Sequence, residues 1–126
     1  MRRLLALPAL AAAFAAALTW AAPAFGHAAF VGSQPGPGQR LEASPARVVL
    51  TFTEPLNGSL AGATLRPSAG GPAVPAAVRV EGRRRVVITP SRRLATGAYS
   101  VEWHTVSTQD GHALEGAFAF GVRAAA

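Results

Sequence analysis

The sequence predicts an all-β protein: a small antiparallel sandwich or barrel of about seven short strands. Three observations carry this. Beyond the first quarter of the chain, apolar residues alternate with polar ones at period two. Proline and glycine clusters interrupt the alternation at short intervals. No segment there sustains a helical period.

Taken in order, the chain opens Met1-Arg2-Arg3, continues as an apolar Ala- and Leu-rich run from Leu4 to Leu18, and reaches Ala24-Phe25-Gly26. A basic start, an apolar middle and a small-x-small end form the pattern of a secretory signal peptide, here residues 1–26. An uncleaved anchor is the alternative, because Leu4 to Phe25 is long enough to span a bilayer. Pro23 and the small residues after it interrupt the run where a peptidase would cut, which favours cleavage. The domain is then 27–126, about one hundred residues, enough for one modest core.

Within that domain Ala28 to Val31 is a short strand candidate. Arg47 to Thr53 sets Val48, Leu50 and Phe52 on one face. Ala63 to Arg66, Ala76 to Val80 and Arg85 to Thr89 are further short candidates. Gly97 to Thr105 sets Tyr99, Val101, Trp103 and Thr105 on one face, with Ser100, Glu102 and His104 on the other. Ala117 to Val122 brings Phe118, Phe120 and Val122 together. Turn material separates them at Gln34 to Gly38, Pro67 to Pro72 and Ala95 to Gly97. Ala69 to Pro75 reads as a mobile loop. Phe52, Tyr99, Trp103, Phe118 and Phe120 are expected to form most of the core.

The net charge is +6, and loss of Arg2 and Arg3 takes it from +6 to +4. Arg83-Arg84-Arg85 looks like a basic patch, but it has no interleaved aromatics and belongs to an exported chain. It reads as a solvated turn, and nucleic acid is not an expected partner. There is no Cys, hence no disulfide, and the single Met is Met1. Soft sulfur donors for a metal are therefore absent from residues 27–126.

Three histidines are present, His27, His104 and His112. Cleavage after Gly26 would give His27 a free α-amine, which with the imidazole Nδ1 of the same residue can chelate one ion. An amine of pKa roughly 8 and an imidazole of roughly 6.5 both yield their protons to a metal near neutral pH. Asp110-Gly111-His112 places a carboxylate and an imidazole two residues apart, on one side of an extended segment. The bland alternative is an ordinary Asp-Gly turn. The His27 amine and Nδ1, a His112 nitrogen and an Asp110 oxygen would give three nitrogens and one oxygen. That set suits a tetragonal Cu(II) ion better than tetrahedral zinc, and Cu(I) would require sulfur. His104, on the polar face of its strand, is expected at the surface or rim.

The run GAYSVEWHTVSTQDGHALEGAFAFGV resembles the C-terminal half of the CopC family of periplasmic copper-binding proteins, through Tyr-x-Val-x-Trp, Ser, Asp-Gly-His and Gly-x-Phe-x-Phe-x-Val. HAAFVGSQPGPGQRL resembles that family's opening, and VVLTFTEPL its second strand. The resemblance implies Greek-key character and one Cu(II) ion held by His27, Asp110 and His112. It places Glu54 at the family's Glu-Pro position, where a carboxylate would orient the amine or an imidazole from the outer shell. It further implies a non-enzymatic role in copper homeostasis or resistance in the periplasm, with copper buffered or passed to an inner-membrane transporter of the CopD type. After cleavage the domain would not itself be membrane-embedded. The Met-rich Cu(I) loop of some relatives has no counterpart here. Two other functions are open to the same residues: a copper monooxygenase acting on polysaccharide, which also clamps copper with an N-terminal histidine, and a metal-free secreted interaction domain.

Overall fold

The computed structural model describes residues 28–126, as eight strands. These are β1 (Phe30–Gln34), β2 (Arg40–Leu41), β3 (Val48–Phe52), β4 (Gly62–Pro67), β5 (Ala76–Glu81), β6 (Arg85–Pro90), β7 (Gly97–Val106) and β8 (Ala113–Val122). The leader and His27 lie outside the described residues. No helix among the described residues is long and apolar enough to cross a membrane.

The period-two stripes decide the architecture. Val48, Leu50 and Phe52 of β3 are all buried, as are Tyr99, Val101, Trp103 and Thr105 of β7. Each stripe needs a second apolar face, and the chain provides it by forming two sheets, β1-β3-β6-β5 and β2-β8-β7-β4. The fold is thus a sandwich rather than a closed barrel. The chain changes sheet at every connection except the β5–β6 and β7–β8 hairpins, which is Greek-key connectivity. Every strand pair is antiparallel except β2 with β8. β2 is the addition to the expected set, and its two residues are too short to show alternation.

β8 begins at Ala113, four residues before the expected Ala117. The inward positions of its first half are Leu114 and Gly116, and the glycine hides the apolar stripe from a reader of the sequence. It is there for Trp103, its partner across the β7–β8 ladder. A Cβ at position 116 would stand 2.5 Å from the indole Cζ2. Gly116→Ala should therefore push the indole off its site and destabilise the domain by about 1–3 kcal/mol. Thermal unfolding of the metal-free protein checks this, and an unchanged Tm would refute the packing.

Two aromatic groups fill the core. Phe30, half-buried at the start of β1, stacks on Trp103 and Phe118 at 5.7 and 5.9 Å, and Phe52 meets Phe30 and Trp103 edge-on at 5.9 and 5.0 Å. Tyr99 stacks on Phe120, and its hydroxyl donates to Ala95 O at 2.7 Å, the corner that fixes the start of β7. The Gly/Pro-rich stretch 69–75 is tied down at several points, among them Ser91 N–H donating to Pro75 O at 2.9 Å. Val74 is buried in the core, and its N–H donates to Leu65 O at 2.7 Å, so an anchored residue separates the exposed run 69–73 from exposed Pro75.

One end of the sandwich gathers several long-range ties. Phe30 opens β1 beside Phe52, the last residue of β3. Just beyond, Leu56 bridges to Ser107, which joins the exit of β3 in one sheet to the exit of β7 in the other. The loop between β7 and β8 projects from this end.

Candidate metal site

That loop runs Ser107-Thr108-Gln109-Asp110-Gly111-His112, and backbone hydrogen bonds close it on itself. Ser107 N–H donates to His112 O at 3.0 Å, Gly111 N–H to Ser107 O at 3.0 Å, and Gln109 N–H to the Ser107 hydroxyl at 3.1 Å. A fourth bond, Thr108 N–H to Pro55 O at 3.1 Å, fastens the loop to the segment after β3. Gly111 has a φ of +70°, a left-handed conformation that glycine adopts without penalty and that turns the chain sharply between Asp110 and His112.

The carboxylate and imidazole do lie together, but through this turn and not along an extended strand. Asp110 Oδ1 accepts the His112 backbone N–H at 3.0 Å, and Oδ2 lies 2.9 Å from His112 Nδ1. The backbone N–H of His112 contributes most to holding the Asp110 carboxyl below the usual carboxylate range, followed by its ring and, more weakly, the Ser107 hydroxyl. An ionised carboxylate can only accept, so the Nδ1 it faces carries the proton. A neutral ring in that tautomer has its lone pair on Nε2. The His112 side chain is 62% exposed and the Asp110 side chain 24%, so the ring leans outward while the carboxylate braces it from below.

The start of the described chain meets this end. Ala28 is buried, Ala29 N–H donates to Thr53 Oγ1 at 3.0 Å, and Thr53 N–H donates back to Ala29 O at 2.9 Å. From Thr53 the chain passes through Glu54 to Pro55, whose carbonyl holds Thr108. Thr53 and Pro55 are therefore the positioning residues that sequence reasoning missed. Their bonds span more than 20 residues and leave no local signal, although Thr53-Glu54-Pro55 falls inside the segment that resembled the family's second strand. Ser107, whose hydrogen bonds within the loop reach no further than His112, is the Ser of the motif that resembled the family.

Glu54 is half-buried in this segment, and no hydrogen bond or ion pair joins it to another described residue. Asp110 already holds the His112 ring, so an orienting role for Glu54 narrows to the His27 amine or imidazole. His104 is exposed on the outer face of β7, as expected, with its ring over Gly62, where a Cβ would strike it. No three His, Asp or Glu residues cluster closely enough to hold a metal among the described residues. Asp110 and His112 thus form half of the expected donor set, and His104 does not join them. The donor types fit a borderline divalent ion: one imidazole nitrogen preset in its tautomer, and a carboxylate with lone pairs beyond those used within the turn.

Fold and site together define a small Greek-key β-sandwich that presents an aspartate-braced histidine at one end. The CopC domain model matches residues 30–123, and the chain belongs to the CopC family of copper resistance proteins. It is 37% identical over 117 residues to copper resistance protein C of Pseudomonas syringae pv. tomato, covering 87% of this chain and 91% of the relative. It is 36% identical over 110 residues to copper resistance protein C of Xanthomonas campestris pv. juglandis, covering 81% and 84%. The fold superposes on PcoC, a methionine-rich copper resistance protein from Escherichia coli, with a TM-score of 0.70 at 31% identity, covering 76% of this chain and 98% of that one. For CopC from Methylosinus trichosporium the TM-score is 0.69 at 26% identity, covering 76% and 93%. Unlike the methionine-rich relative, this chain has a single Met, at position 1.

Proposed function

We propose that the chain is an exported Cu(II)-binding protein of copper homeostasis or resistance, which takes up one ion at the loop end of the sandwich. Residues 1–26 act as the signal peptide, and the domain 27–126 works in the periplasm. The ion is held by the His27 amine and Nδ1, by His112 Nε2, and by an Asp110 oxygen, which turns off His112 Nδ1 to reach the same ion. Glu54 orients the His27 end. The single observation that carries this reading is the Asp110–His112 pair, preset in a closed turn that Pro55 ties to the segment receiving Ala29. The protein carries or buffers the ion, and an inner-membrane transporter of the CopD type is the recipient. Bound copper is cargo, and no reaction on an organic substrate is assigned to it.

The decisive experiment compares two forms of the mature protein, one beginning at His27 and one retaining Gly26. The first should bind one equivalent of Cu(II) and give a tetragonal paramagnetic resonance spectrum with nitrogen hyperfine structure. The second loses the amine donor and should bind at least about tenfold more weakly. Equal affinity would remove the amine from the site.

Asp110→Asn provides an independent check. It keeps the shape of the turn but removes a negative charge, and should weaken Cu(II) binding by about 10–100-fold. The pH dependence follows from the same group. Its folded pKa lies below the ordinary value, so its contribution to stability is present above that value and is lost only as pH falls through the lowered one. Between pH 7 and 5 Asp110 stays ionised. Weakening of copper binding across that window therefore comes from protons competing for nitrogen, and Asp110→Asn should lower affinity without changing its pH slope. A slope that flattens in the variant would place the titration on the carboxylate instead.

A further inference from the structure

Arg83, Arg84 and Arg85 form the turn of the β5–β6 hairpin and the start of β6, and metal binding has no use for them. All three are exposed, and no ion pair reaches any of them among the described residues. The nearest acid by register, Glu81 opposite Arg85, is already taken: Arg79 Nη2 lies 2.6 Å and Arg47 Nη1 3.3 Å from its carboxylate. Nor is the hairpin a loose excursion. Phe52 N–H donates to Arg84 O at 2.9 Å, Leu56 N–H to Arg83 O at 2.7 Å, and Arg84 Nη1 to Thr53 O at 2.9 Å. Arg83 sits at a φ of +65°, a conformation that side-chain-bearing residues rarely adopt. Arg83 and Arg84 are thus fixed to 52–56, the segment that also receives Ala29 and Thr108 at the metal end, and Arg85 follows in β6 opposite Thr51.

Three guanidiniums beside a cation site work against capture of a bare divalent ion, since like charges repel it. What they match is carboxylate, which arginine grips with paired N–H donors. The run also stands apart from the other pair of adjacent arginines. Arg92 and Arg93 precede the start of β7, whereas the Asp110–His112 loop follows its far end, so a ten-residue strand of about 33 Å separates them. A bilayer surface calls for basic residues spread over one face; a single charged hairpin suits a narrower acidic target.

We propose that the Arg83–Arg85 hairpin docks an acidic segment of a partner protein against the metal end of the sandwich. Only the purpose of that contact, exchange of copper, rests on the function proposed above; the docking itself does not. Loading the site adds positive charge next to the hairpin, so the acidic partner binds the loaded protein more tightly than the empty one.

The probe is a fluorescein-labelled deca-glutamate peptide titrated by anisotropy into the metal-free mature protein at about 10 mM ionic strength. Arg83→Asn/Arg85→Ser is the hairpin variant; asparagine tolerates the left-handed turn, and Arg84 keeps its bond to Thr53. Arg92→Ser/Arg93→Ser is the control of equal charge. The hairpin variant should weaken binding at least about tenfold and the control less than about twofold, with both binding curves collapsing at high salt. Equal weakening in the two variants would mean net charge alone, and no binding by the wild type would mean no docking surface; either overturns the proposal. So would stronger binding to phosphatidylglycerol vesicles than to the peptide, lost in the hairpin variant, which would assign the hairpin to a membrane. Cu(II) titration of the hairpin variant should return wild-type affinity or better. Failure of the wild type itself to bind copper would sink the proposed function and leave the peptide result standing.

Discussion

Replacing His112 with alanine should lower Cu(II) affinity at least about 100-fold, close to 3 kcal/mol, while shifting the Tm of the metal-free domain by no more than a few degrees. The two halves of this expectation have separate causes. In the proposed site the imidazole is a donor whose tautomer Asp110 presets, so its loss removes one ligand and leaves the other without its neighbour. Stability is little affected because the ring is 62% exposed and the bonds that close the loop are made by backbone atoms of the same residue, which alanine retains. Isothermal titration with Cu(II), read beside differential scanning calorimetry of the metal-free protein, measures both. Undiminished affinity would move the metal elsewhere. A collapse in Tm would mean that the ring supports the fold.

The opposite pattern is expected for Phe52→Ala. Phe52 is 2% exposed and packs edge-on against both Phe30 and Trp103, so truncation opens a cavity between the sheets and breaks two aromatic contacts. Losses of about 3–5 kcal/mol follow buried Phe→Ala changes, against a total stability of about 5–15 kcal/mol for a domain. With no disulfide to compensate, the metal-free protein should melt at least about 15 °C lower. Added Cu(II) should recover part of that fall, because a ligand that binds only the folded state stabilises it. A Tm within about 5 °C of wild type would show that the core repacks around the gap.

Much of the sandwich was legible because β3 and β7 alternate without interruption, and all seven residues assigned to their inner faces are buried. The losses occurred where alternation is broken for a structural reason. Gly116 stands where an apolar residue would have extended β8, leaving room for Trp103. A bulge between Phe30 and Gly32 disrupts the register of β1 and concealed Phe30, the ring that joins Phe52, Trp103 and Phe118. The choice between barrel and sandwich depended on which strands pair, which no single strand encodes. At the candidate site, the pairing of Asp110 with His112 was readable from spacing and residue chemistry. Their turn geometry was not, because Asp-Gly-His is compatible with a strand end until hydrogen bonds to Ser107 and Pro55 choose otherwise. The role of Thr53 and Pro55 is a tertiary fact, set by contacts across more than 20 residues. His27 lies outside the described residues, and its part remains the proposal made above.

The loop from Ser107 to His112 satisfies its own backbone before any ion arrives. On the loop side of the site, capture then requires no backbone to condense, and release requires none to melt. For the carrier role proposed above, the loop's share of ion exchange is then paced by solvent leaving the ion and by substitution of one ligand for the next, and a loop that need not refold suits a brief encounter with a recipient.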